Sequence, residues 1–86
     1  MNNNRIFRSL LDGFIEKHRS EENCNYEVNR MEFTFHPSDE VILVNLICQN
    51  AYGRRYLVAC GKVFFSRLSE DVKCDLIKMG AGEHSI

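Results

Sequence analysis

The sequence has no tryptophan, one proline, and no pair of cysteines at Cys-x-x-Cys spacing. With Pro37 as its sole proline, the chain holds no polyproline segment or Pro-rich linker. The cysteines at 24, 48, 60 and 74 and the histidines at 18, 36 and 84 supply no closely spaced ligand set, so neither a metal nor a cofactor is expected. Such cysteines read as small buried hydrophobes in a reducing compartment. Charge of one sign is missing too. Eleven Lys and Arg stand against 12 Asp and Glu, for a net charge of -1, so no global field recruits nucleic acid or an anionic membrane. Long apolar runs are absent: the best, residues 41–47, is broken by Asn45 and is far too short to span a bilayer. The opening Met-Asn-Asn-Asn-Arg leads into an amphipathic segment in place of a signal-peptide apolar region, and a cytoplasmic location is expected.

What is present is ordinary for a folded domain: 44% hydrophobic and 27% charged residues in 86. That length gives one small domain with a single core. Its termini, residues 1–4 and 81–86, are expected to be loose.

The chain is organised around residues 31–65, which read as three antiparallel strands. Met31, Phe33 and Phe35 alternate with Arg30, Glu32 and Thr34, the period-two signature of a half-buried strand. The segment His36-Pro37-Ser38-Asp39-Glu40 makes a turn, because Pro presets φ and Ser and Asp bond their own backbone. Residues 41–48 are apolar on both faces apart from Asn45, as in a central strand. A second turn falls at residues 50–53, and the third strand runs to about Phe65. Placing His36 opposite Val41 and Gln49 opposite Arg54 gives one register that sorts the faces. Met31, Phe33, Phe35, Ile42, Val44, Leu46, Cys48, Leu57, Ala59, Gly61 and Val63 share a purely apolar face. Arg30, Glu32, Thr34, Val41, Leu43, Asn45, Ile47, Tyr56, Val58, Cys60, Lys62 and Phe64 share a mixed one. A one-residue slip would exchange the faces, so the pure face is expected to be the core.

Two helices flank this meander. Asn2, Asn3 and Asn4 offer N-cap side chains, and Ile6, Phe7, Leu10, Leu11, Phe14 and Ile15 form one apolar stripe that ends near His18 and Arg19. Gly13 inside this stripe is compatible with close packing on the sheet. Residues 20–25 are polar and read as a loop. Tyr26 and Val28 either extend the mixed face or are set off from the strand by a bulge. Ser69 caps a second helix through Glu70 and Asp71; Val72, Leu76 and Met79 recur on one side with Ile77 beside them, and Gly80 terminates it. The fold class is therefore α+β: a helix, a three-stranded antiparallel meander and a helix in an αβββα two-layer sandwich, both helices on the pure face.

This order of elements resembles that of double-stranded RNA-binding domains. The resemblance implies phosphate contacts from the start of the second helix, which in those domains carries lysines. Here Ser69-Glu70-Asp71 stand there, and His36-Pro37 and Arg54-Arg55 are the corresponding turn features. The stretch Leu10-Leu11-Asp12-Gly13-Phe14-Ile15-Glu16-Lys17, followed downstream by Cys60-Gly61-Lys62, resembles the small type III secretion chaperones. That resemblance implies protein binding, although those chaperones are longer and more acidic and continue with further strands and a last helix.

Catalysis has no foothold: Cys60 sits in a strand with no placed base, and Asp39 and Glu40 are turn carboxylates explained by solvation. No Gly-rich phosphate loop occurs. The expectation is a small non-catalytic protein-binding module, such as an adaptor, an inhibitor of a larger complex or a secretion-type chaperone. Its partner is another protein or a second copy, and neither nucleic acid nor membrane is expected. The contact residues are Leu43, Asn45, Ile47, Tyr56, Val58, Lys62 and Phe64, on the mixed face that helices on the other side leave uncovered. The alternatives are that the 20–28 segment or a helix folds over that face, or that the domain binds RNA.

Overall fold

Alternation in residues 30–36 and the tight turn after them produce the first two full strands of the computed structural model, which describes residues 3–13, 18–19 and 27–86. In chain order the elements are α1 (Asn3–Asp12), β1 (His18–Arg19), β2 (Arg30–His36), β3 (Val41–Gln49), β4 (Arg55–Phe64), α2 (Glu70–Met79) and β5 (Gly82–Ser85). The sheet is antiparallel, in the order β1-β4-β3-β2-β5. The predicted three-strand meander is its centre, β2-β3-β4, and a strand is added at each edge.

The β2–β3 register is the predicted one, with His36 opposite Val41 and Phe33 opposite Val44. Its turn is a 3-10 helix, Pro37–Asp39, closed by Glu40 at φ 54, whose N–H donates to the Pro37 carbonyl. The core cluster joins Met31, Phe33, Phe35, Ile42, Val44, Leu46, Ala59 and Val63 from one sheet face to Ile6 and Leu10 of α1 and Val72 and Leu76 of α2. Both helices therefore cover the predicted apolar face.

Four differences from the sequence reading have clear causes. First, α1 stops at Asp12, where the Gly13 N–H donates to Ser9 O at 2.9 Å, and His18–Arg19 pairs with β4 as a strand. A Cβ on Gly13 would lie 3.1 Å from Val63 Cγ1, so the end of the helix rests on β4 as closely as a glycine allows. Phe14, Ile15, the 20–25 loop and Tyr26 lie outside the described residues. Val28 packs against the core cluster and does not extend the mixed face.

Second, Gln49 faces Arg55 in place of Arg54, and a bulge interrupts the β3–β4 ladder: Leu46 pairs with Ala59 but Ile47 pairs with Leu57, leaving Val58 extra. Asn50 closes the longer turn, its Oδ1 accepting from the N–H groups of Tyr52 and Arg54. Beyond the bulge the parity reverses. Leu57 leaves the core face and is 48% exposed, while Tyr56 moves opposite Cys48. Cys48 is half-buried, outside the core cluster.

Third, residues 82–85 are not a loose tail. They pair with β2 from Phe35↔Gly82 to Glu32↔Ser85, and Met31 and Ile86 exchange two backbone hydrogen bonds of 2.8 and 3.1 Å. Gly80 (φ 89) and Gly82 (φ 101) take the positive φ values that turn the chain from α2 into this strand.

Fourth, α2 begins and ends as expected, with Ser69 Oγ accepting from Val72 N–H and Gly80 N–H donating to Leu76 O. Ile77, however, points outward and is 64% exposed. Asp75, not Ile77, is turned inward. Its Oδ2 accepts from Arg5 Nη2 at 2.6 Å and Nε at 3.1 Å, tying α2 to α1.

Candidate functional site: the sheet face turned away from the helices

On the face turned away from the helices, the register builds rows that run across the strands. Glu83, Thr34, Leu43 and Lys62 form one row; Ser85, Glu32, Asn45 and Cys60 form the next. Arg30, Ile47 and Leu57 follow on one side, and His36, Val41 and Phe64 on the other. Among the described residues no helix lies over these rows. Leu43, Leu57 and Phe64 are 47%, 48% and 39% exposed.

The predicted contact residues divide. Leu43, Asn45, Lys62 and Phe64 lie together on this face, as expected, with Lys62 partly buried. Ile47 and Val58 belong to the same side but are only 5% and 2% exposed, and both sit outside the helix-covered core. They are the buried floor of this side and not part of its exposed surface. Tyr56 is displaced by the bulge and lies within a cation–π contact, the Arg54 guanidinium carbon 5.5 Å from its ring centre. Leu57 takes the exposed place that the sequence reading gave to Tyr56. Two buried pairs, Leu46-Ile47 and Val58-Ala59, face each other where the bulge occurs. Each is an unbroken apolar run, so a period-two reading could not say which member faces which way.

Electrostatics frame this surface. Arg55 Nη2 meets Glu32 Oε1 at 2.5 Å, and Arg30 Nε donates to Gln49 Oε1 at 3.1 Å. The Asn29 amide pairs with the Gln49 backbone in both directions, at 2.8 and 2.9 Å, closing the end of β2 on β3. Three adjoining hollows of about 290, 330 and 230 Å³ open on the face, and Asn45 lines all three. The Asn45 side chain makes no hydrogen bond among the described residues, so an exposed amide stands at the centre of the surface. A further hollow of about 230 Å³, on the α2 side, is lined by Phe35, Pro37, Glu40, Phe65, Ile77, Gly80 and Ala81. Glu40 is its one charged residue.

On the opposite side of the molecule, Arg5 is held above the usual arginine range, first by its hydrogen bond to Asp75 and then by the charges of Asp75 and Asp71. It is cationic throughout the neutral range, and the stabilisation it gives would be lost only in strong alkali. Cys48, Cys60 and Cys74 are free thiols. Among the described residues no three His, Cys, Asp or Glu side chains come together, and no helix is long and apolar enough to cross a membrane.

No protein-family model matches this sequence, and no curated protein and no solved structure matches it.

Proposed function

We infer that this chain is a small non-catalytic protein-binding module, acting in the manner of an adaptor, an inhibitor of a larger complex or a secretion-type chaperone. The contact surface in this reading is the sheet face turned away from the helices. The observation that carries it is the exposure of Leu43, Leu57 and Phe64 on one face while both helices pack on the other. Solvent-facing strand positions accept polar residues at no cost to the fold, so three large apolar side chains there point to a contact. Arg30, Glu32, Arg55 and Glu83 around them supply the polar rim of an interface. The free thiols suit a reducing, cytoplasmic setting.

The RNA-binding alternative is less well supported. Glu70 and Asp71, with side chains 88% and 80% exposed, present carboxylates where phosphates would have to approach the start of α2.

The test is a comparison of Leu43→Lys and Phe64→Lys with the unaltered protein, by cross-linking and co-purification from the source cell. Both variants should melt like the unaltered protein and lose the species it retains, whether another protein or its own copy. Retention of that species by both well-folded variants would place the contact elsewhere.

A further inference from the structure

The hollow of about 230 Å³ on the α2 side is apolar with a single exception. Phe35, which is buried, and Phe65, which is half-buried, stack at a centroid distance of 5.3 Å and form its floor. Pro37, Ile77 and Ala81 stand exposed around them, Ile77 at 64%. Scattered singly, such residues would need no explanation, but three together over an aromatic floor make an apolar recess. The exception is Glu40. It is the sole non-glycine residue at positive φ among the described residues, at φ 54. Glycine or asparagine takes that conformation with less strain, so closing the turn does not call for glutamate. No ion pair or side-chain hydrogen bond among the described residues uses its carboxylate.

Another wall of the hollow is the carbonyl end of α2, at Ile77 and Gly80. The carbonyls of Ile77, Lys78 and Met79 accept no backbone hydrogen bond among the described residues, and a helix carries partial negative charge at this end. A carboxylate and a helix C-terminus therefore act on one apolar hollow with the same sign. Lys73 lies over the Phe65 ring at 5.8 Å, but its ammonium is paired with Glu70 at 3.3 Å. Lys78, in the last turn of α2, does not line the hollow.

We propose that this hollow takes a lysine side chain presented by a partner protein, its stem on the apolar lining and its ammonium between Glu40 and the end of α2. Lysine joins the two properties that the hollow asks for, a four-carbon apolar stem and a compact positive charge at its tip. The N–H donors of the ammonium suit a carboxylate and free helix carbonyls, which can only accept. Size selects a side chain over a free small molecule, because about 230 Å³ lies below the roughly 300–1,000 Å³ of small-ligand pockets. A carboxylate in the same place would meet like charge on both sides. This contact is separate from the sheet face and does not depend on the reading given to that face.

The test is an NMR titration of the isotope-labelled full chain with lysine capped as its N-acetyl, N-methylamide derivative. The backbone amides of Glu40, Phe65 and Ala81 should shift together, with a Kd in the millimolar range that suits one side chain. Capped norleucine, which keeps the stem and drops the charge, should bind about threefold more weakly, as an exposed ion pair implies. Glu40→Gln should remove that difference. Ile77→Lys, which sets a cation at the rim, should abolish binding of capped lysine. Circular dichroism confirms that both variants are folded. Absence of shifts up to about 100 mM capped lysine overturns the proposal. So does equal binding of capped norleucine, or a preference for lysine that survives Glu40→Gln. Butylammonium binding more tightly than capped lysine would assign the hollow to a free amine and overturn the choice of a protein side chain.

Discussion

Glu32 on β2 and Arg55 on β4 meet across the strand that separates them, directly over Ile47. The register shows why: Glu32 lies opposite Asn45 and Arg55 opposite Gln49, so the ion pair spans β3 diagonally with Ile47 between. Ile47 is 5% exposed although no helix among the described residues covers that face. Glu32, Arg55 and Ile47 line one hollow of this face.

The energetic role of this pair should be modest. Both side chains are nearly half exposed, and such pairs contribute about 0.2–1 kcal/mol. A double-mutant cycle on Glu32→Ala and Arg55→Ala in urea should give a coupling in that range that shrinks in high salt. A coupling that does not respond to salt would show that packing on Ile47 outweighs the charge.

The two faces of α2 and the sheet core make a sharper contrast. Val44→Asp or Phe33→Asp should abolish cooperative folding, because an unpaired charge under the helices costs several kcal/mol against a total of about 5–15. Ile77→Lys, at a position that sequence spacing places beside the apolar stripe, should leave the melting temperature within a degree or two of the unaltered protein. Thermal melts followed by circular dichroism decide both; a cooperative near-native melt for Val44→Asp would refute the assignment of the core face.

The bridge between the helices predicts an asymmetry. Asp75 is 5% exposed, while the Arg5 side chain is 42% exposed. Arg5→Met leaves a buried carboxylate with its main partner gone, whereas Asp75→Asn leaves an arginine that can turn to water. Arg5→Met should therefore lower the melting temperature more than Asp75→Asn. Equal losses would show that the carboxylate is solvated once the arginine is gone.

The β5 strand depends on one backbone conformation. Gly82 sits at φ 101, which a β-branched residue cannot adopt without strain of about 1–3 kcal/mol. Gly82→Val should detach β5 from β2 and expose the ring of Phe33, which His84 now covers at a centroid distance of 5.3 Å. The readout is hydrogen exchange at the Met31 amide, which donates to Ile86 O at 3.1 Å and should lose its protection. Protection equal to that of the unaltered protein would show that β5 stays docked without its glycine.

Local signals along the chain are enough to specify several of these elements. Alternation in residues 30–36 and a turn built on Pro37 determined the β2–β3 register and the core face. Ser69 and Gly80 bounded α2, because capping needs only the residues beside it. Leu43, Asn45, Lys62 and Phe64 were legible as second-face residues for the same reason: they keep parity with that register. The remaining features arise from pairing and packing between distant segments. The bulge at Val58 falls inside an apolar run where either parity looks equally good, so the exchange of Tyr56 for Leu57 and the burial of Ile47 emerged only from pairing. Gly82–Ser85 carries no apolar alternation; it is a strand because the edge of β2 offers backbone donors and acceptors to pair with. Arg5 and Asp75 lie 70 residues apart, and no periodicity can announce a contact made only when two helices dock on one sheet.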